Sequence, residues 1–177
     1  MSNPVDNAIC NIETKLDWAI RSYNKMLSSS DDNDELKDSF WSFLSAFQTS
    51  WFYYNKLIEE LYPDLSTKKR KQKSLEIINS WKKRELSESE LKSWDTLQTL
   101  RNEDTHRIPL KANYELRSDI ATDFNGDVFT DYDGTPFTIE ADHVFVVFNQ
   151  EEFSIKYLAE NGIESIRKLM QFLPRLK

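Results

Sequence analysis

SFWSFLSAFQTSWFYYNKLIEEL, residues 39–61, decides the fold. Phe40, Phe43, Phe47, Trp51, Tyr54, Ile58 and Leu61 recur every three or four positions, the period of one helix face. Trp41, Leu44 and Phe52 fall off that stripe. A helix apolar over so much of its circumference must be covered on more than one side, as at the centre of a bundle or in a subunit interface. The run Trp51-Phe52-Tyr53-Tyr54 reads as core packing. The spacing predicts one helix from about Glu35 to the residues before Pro63.

Working outward, Asn3 followed by Pro4 is a helix start, since proline at the first helical position loses no hydrogen bond. Ile9, Ile12, Leu16, Ala19, Tyr23 and Leu27 then predict a first helix to about residue 27, and the polar stretch 28–34 a loop. Downstream, a third helix is expected from Ser66 to about Glu85, with Leu75, Ile78 and Trp81 as its inner face. Its first turns hold Lys68, Lys69, Arg70, Lys71 and Lys73. Cations there oppose the helix dipole, so helix stability does not account for them. They read either as a solvated face or as an anion-facing patch. Ser87-Glu88-Ser89-Glu90 fits a capping box, and Leu91, Trp94, Leu97 and Leu100 continue as a fourth helix that Pro109 ends or bends.

Beyond Pro109 the pattern changes. Residues 110–127 are ambiguous: a short helix fits 111–124, while Asn125-Gly126-Asp127 is turn-like. VFTDY (128–132) and PFTIE (136–140) flank Asp133-Gly134 as a hairpin, in which Thr135-Pro136 makes the loop longer or the strand edge less regular. HVFVVF (143–148) is a further strand with His143 at its start, and a last helix is expected from Glu151 to about Phe172, interruptible at Asn161-Gly162 and closed by Pro174. The expected fold is therefore mainly α: a four-helix bundle over residues 1–108, then a β hairpin or small sheet and a C-terminal helix over 109–177, packed on the bundle.

Composition narrows the function. The 177 residues carry a net charge of -7, which disfavours non-specific nucleic-acid binding by the surface as a whole but leaves room for a locally basic cleft. With Cys10 as the one cysteine there is no intrachain disulfide framework, and a reducing, cytoplasmic setting is expected, with no signal peptide and no apolar run of membrane-spanning length. No glycine-rich phosphate loop is present, so no nucleotide cofactor is expected. Asp123, Asn125, Asp127 and Asp131 alternate like a calcium loop, yet the glycine is misplaced and Gly134 stands where a bidentate glutamate belongs, so no metal is expected. His143 has no second ligand at metal spacing.

The end of the fourth helix is harder to explain as packing. On a regular helix Arg101 projects between Leu97 and Trp94, inside the apolar stripe. A guanidinium there needs a paired anion, a wet cleft or a second subunit. His106 follows at about 140° around and about 7.5 Å along the axis, which lets the two flank one groove without touching. Arg101, the polar Asn102, the variable Glu103, Asp104 and Thr105, and His106 together resemble the signature of the HEPN superfamily, and with the preceding helices the resemblance spans roughly residues 5–108.

That resemblance implies a helical bundle that forms a homodimer with two copies of the motif facing across a cleft. In active members the cleft cuts RNA without a metal, and many are toxins of toxin–antitoxin, abortive-infection or other defence systems; others are non-catalytic RNA- or protein-binding domains. It implies His106 as the proton-transfer residue, Arg101 as the phosphate holder and Asn102 as an orienting residue, with Lys68, Lys69, Arg70, Lys71 and Lys73 as candidates for the RNA path. Glu103 and Asp104 place negative charge beside that phosphate site. The acidic chain as a whole suits a basic antitoxin. The competing reading is a dimeric interaction module that docks through its β hairpin.

Overall fold

The computed structural model describes residues 3–28, 33–106, 111–120, 128, 130, 132–136, 138–148 and 151–176. The elements are α1 (Pro4–Ser28), α2 (Asn33–Leu61), α3 (Thr67–Glu85), α4 (Glu88–His106), β1 (Lys111–Ile120), β2 (Thr138–Phe148), β3 (Glu151–Ser154), α5 (Ile155–Phe172) and a closing 3-10 turn (Leu173–Leu176). This is the expected mainly α fold with a small antiparallel β element and a C-terminal helix.

Local chemistry accounts for the helix starts. Asn3 Oδ1 accepts from the Val5 amide at 3.1 Å, capping α1. At α4 the capping box closes both ways: the Ser87 amide donates to Glu90 Oε2 at 2.7 Å and the Glu90 amide to Ser87 Oγ at 3.3 Å. Ser154 Oγ accepts from the Tyr157 amide at 3.3 Å and starts α5.

Helix α2 is the centre. It meets α1, α3, α4, α5 and β1, so its wide apolar face is covered from several sides. Off the main stripe, Leu44 is buried, whereas Trp41 and Phe52 remain 36% and 59% exposed. Trp94 of α4 is the hub of the aromatic core, edge-on to Phe47, Trp51 and Trp81 with centroids 5.0, 6.2 and 5.6 Å away. The core continues past residue 108: Trp81 stacks on Phe172 at 6.2 Å, and Ile163, Ile166 and Leu169 of α5 join the same buried cluster.

Two inner faces and the continuity of one helix differ from the sequence expectation. In α1 the last inward residue is Met26, while Leu27 is 45% exposed, because the face set by Ile12, Leu16 and Ala19 continues through 26. In α3 Ser74 replaces Leu75 on the inner face with Ile78 and Trp81, a spacing of four and three. Ser74 tolerates burial because its hydroxyl donates to Asn55 Oδ1 at 2.7 Å. Helix α5 runs unbroken through Gly162, whose missing side chain lets Leu97 Cδ1 come within 2.6 Å of where a Cβ would stand.

The sheet departs further. Residues 111–120 form a strand, not a helix, pairing antiparallel with β2 from Lys111↔Val147 to Ile120↔Thr138. A long ladder outcompetes the local hairpin, whose strand edge Pro136 deprives of a donor. Of the expected Asp133-Gly134 hairpin there remain the turn, with Gly134 at φ 81, and a bridge Thr130↔Pro136. TIE of the expected second strand and HVFVVF are one continuous β2, so His143 sits mid-strand opposite Glu115. Glu151–Ser154 is likewise a strand, paired with Phe145–Phe148, and the last helix begins only at Ile155. The sheet order is β1-β2-β3. Of the loop expected at 28–34, Ser28 instead ends α1 and Asn33 and Asp34 begin α2, while 29–32, Pro109 and the Asp123, Asn125, Asp127 and Asp131 pattern lie outside the described residues.

Candidate functional site

The capping box that starts α4 also fixes its position. Glu90 is buried, and Lys168 Nζ of α5 lies 2.7 and 2.8 Å from its two carboxylate oxygens. Burial alone would raise the Glu90 carboxyl; the hydrogen bonds from Lys168 and Ser87 and the Lys168 charge outweigh it and hold the group below its ordinary value. Helix α4 is thus clamped at its start by α5, and Trp94, Leu97 and Leu100 are fully buried along its length.

At the other end of this helix stands Arg101. The guanidinium carbon lies 4.3 Å from the centroid of the Trp41 ring, a cation–π stack between α4 and α2. Arg101 is half-buried and Asn102, the next residue, is exposed. The stripe expectation is therefore met at its edge: Leu97 and Leu100 go inward and the arginine lies across an aromatic ring at the rim. Trp41 itself was not among the residues the motif singles out. Its signal was its place off the apolar stripe of α2.

Helix α4 is regular to His106, so Arg101 and His106 keep the offset of about 140° and about 7.5 Å of rise. The side chains of Glu103, Asp104, Thr105 and His106 lie outside the described residues.

The basic run is elsewhere. Lys68, Lys69, Arg70, Lys71 and Lys73 occupy the first turns of α3, which meet α2 around Asn55 and Glu59. Trp41 marks the Arg101 end of α2, and sixteen helical residues at 1.5 Å each put the two places about 24 Å apart along that helix. Within one chain, Arg101 is brought onto Trp41, with Asn102 exposed as its chain neighbour, and the lysines lie elsewhere.

No helix among the described residues is long and apolar enough to cross a membrane. No family model, curated protein or solved structure matches the chain.

Proposed function

We propose that this chain is a metal-independent endoribonuclease that works as a homodimer, in the role of a toxin or defence effector. The observation that carries the reading is the Arg101 guanidinium, stacked on an exposed tryptophan near the C-terminal end of α4, with Asn102 exposed beside it and His106 on the last turn of the same helix.

The chemistry follows from those residue types. Arg101 offers two parallel donors to the scissile phosphate and stabilises the charge that grows on it. His106, acting as general base through its imidazole, takes the proton of the ribose 2'-OH as that oxygen attacks phosphorus. The bond from phosphorus to the 5'-oxygen breaks, and the protonated His106 of the second subunit supplies the proton to that oxygen. The products are a 2',3'-cyclic phosphate and a 5'-OH. DNA has no 2'-OH and is inert.

The test is incubation of the purified protein with mixed cellular RNA in EDTA, beside Arg101→Ala and His106→Ala and a DNA control. Cleavage by the parent alone, leaving cyclic-phosphate ends, is the expected result; identical traces for all three proteins overturn the reading. A second reading, a non-catalytic interaction module with an antitoxin or another protein as partner, is favoured by the exposed Phe52 and Leu75 on α2 and α3.

A further inference from the structure

Helices α2 and α3 are joined by two polar contacts, Tyr54 Oη donating to the Ser74 carbonyl at 2.9 Å and Ser74 Oγ to Asn55 Oδ1 at 2.7 Å. Turning Ser74 inward turns Leu75 outward, where it is 54% exposed across from Phe52 at 59%. Between them is a groove of about 400 Å³ whose walls include Trp51, Phe52, Ile58 and Leu75, with Arg70 and Lys71 along the α3 side. Arg70 Nε is buried there with no hydrogen-bond partner. Among the described residues Lys68, Lys69, Arg70 and Lys71 have no ion-pair partner, and the first turn of α3 holds no acid. Among the described residues Glu59 is the one carboxylate on the groove wall.

We propose that this groove docks a protein segment of complementary character: one or two apolar side chains flanked by carboxylates. The apolar floor takes the side chain, and Arg70 and Lys71 take the acids. Local charge and overall charge are opposite here, since the chain carries -7 in total, so the basic rim selects acidic segments that the remaining surface repels. A protein segment is preferred to RNA because Glu59 on the groove wall repels phosphate and aliphatic Leu75 faces the rings of Trp51 and Phe52; stacking of bases on those rings is the alternative that the oligouridylate competitor tests. The α2 wall of the groove, Trp51 to Glu59, lies about 15–27 Å along the helix from Trp41, so the proposal stands apart from the nuclease reading.

The test pans a phage-displayed library of short random peptides against the full chain, then measures the enriched peptide by fluorescence anisotropy with oligouridylate as competitor. Enriched peptides are expected to pair Leu, Ile or Phe with Asp or Glu. Their affinity is expected to fall about tenfold or more in Phe52→Ser, Leu75→Gln and Lys71→Glu and to hold in Trp18→Ser, another exposed aromatic. Leu75→Gln changes an exposed side chain, and circular dichroism checks its fold. No enrichment over the Leu75→Gln chain, enrichment without acids, or displacement by oligouridylate each overturns the proposal. So does a dimer in sedimentation equilibrium that Leu75→Gln dissociates, which would make a second copy the occupant.

Discussion

Lys168 reaches across from α5 to hold both carboxylate oxygens of Glu90 at 2.7 and 2.8 Å, and the same carboxylate caps the helix that carries Arg101. Removing the lysine leaves a buried carboxylate without its countercharge. Lys168→Met is expected to destabilise the fold by about 2–3 kcal/mol, read by urea unfolding, since Lys168 is partly solvated and some of the interaction is screened. The pH dependence has a fixed sign. The folded-state pKa of Glu90 is depressed, so its stabilisation is fully present above the ordinary value of 4.5 and is lost as the pH falls below that through the folded value. Lys168→Met should flatten that acid-side loss; an unchanged profile counts against the linkage.

Gly162 lets α5 approach α4 closely at Leu97. An added Cβ would stand 2.6 Å from Leu97 Cδ1, with Phe43 and Phe47 at 3.5 and 3.6 Å, and all three neighbours are buried. Gly162→Ala gains helix propensity of about 1 kcal/mol, but the overpacking of about 1–3 kcal/mol opposes it, so a net loss is expected. In a Leu97→Ala background the same change should become neutral or stabilising, a coupling of about 1 kcal/mol or more in a double-mutant cycle. Additive effects would mean that the core relaxes around the methyl group.

Much of this architecture was legible because helix spacing and caps are local. The capping box at Ser87 and Glu90, the Asn3-Pro4 start and the inward stripe of α2 all turn on residues within one or two turns of each other. The strands were less legible for the opposite reason. Ala112, Tyr114, Leu116, Ser118 and Ile120 alternate with Lys111, Asn113, Glu115, Arg117 and Asp119, which is strand period, but the partner that makes the pattern decisive is β2, on the far side of the Asp133-Gly134 turn. Ser74 and Leu75 show a similar limit: which one faces inward depends on Asn55 of another helix. At the candidate site, Arg101 could be singled out from spacing alone. Trp41, sixty positions earlier, becomes its neighbour only through the packing of α2 on α4.

Tyr54 provides an optical probe of the α2–α3 junction. Burial pushes its phenol up and Tyr62 adds to the rise, against a smaller lowering from its bond to Ser74, giving a pKa of about 12. The folded value lies above the unfolded one, so this group's stabilisation is complete below about pH 10 and drains away as the pH rises through 12. Tyr23, bonded to Glu160, is also pushed up, so the test is made in a Tyr23→Phe background: tyrosinate absorbance should show a late ionisation near pH 12 that adding Tyr54→Phe removes. Its persistence in the double variant would place the late step elsewhere.

Trp41 is the residue through which the proposed nuclease reading can be tested without touching its motif. The ring holds the Arg101 guanidinium 4.3 Å from its centroid, so it sets the plane in which the arginine would meet a phosphate. Trp41→Leu keeps an apolar side chain at a position already 36% exposed, and the lost cation–π contact is worth about 0.5–1 kcal/mol, too little to unfold the protein. RNA cleavage should nevertheless fall about tenfold in kcat/KM, chiefly through kcat, with partial rescue in Trp41→Phe, because positioning acts on the transition state. A loss confined to KM would make the tryptophan a binding surface for RNA. Unchanged cleavage in a folded Trp41→Leu variant, with Arg101→Ala still inactive, would show that the arginine needs no help from α2 to find its phosphate.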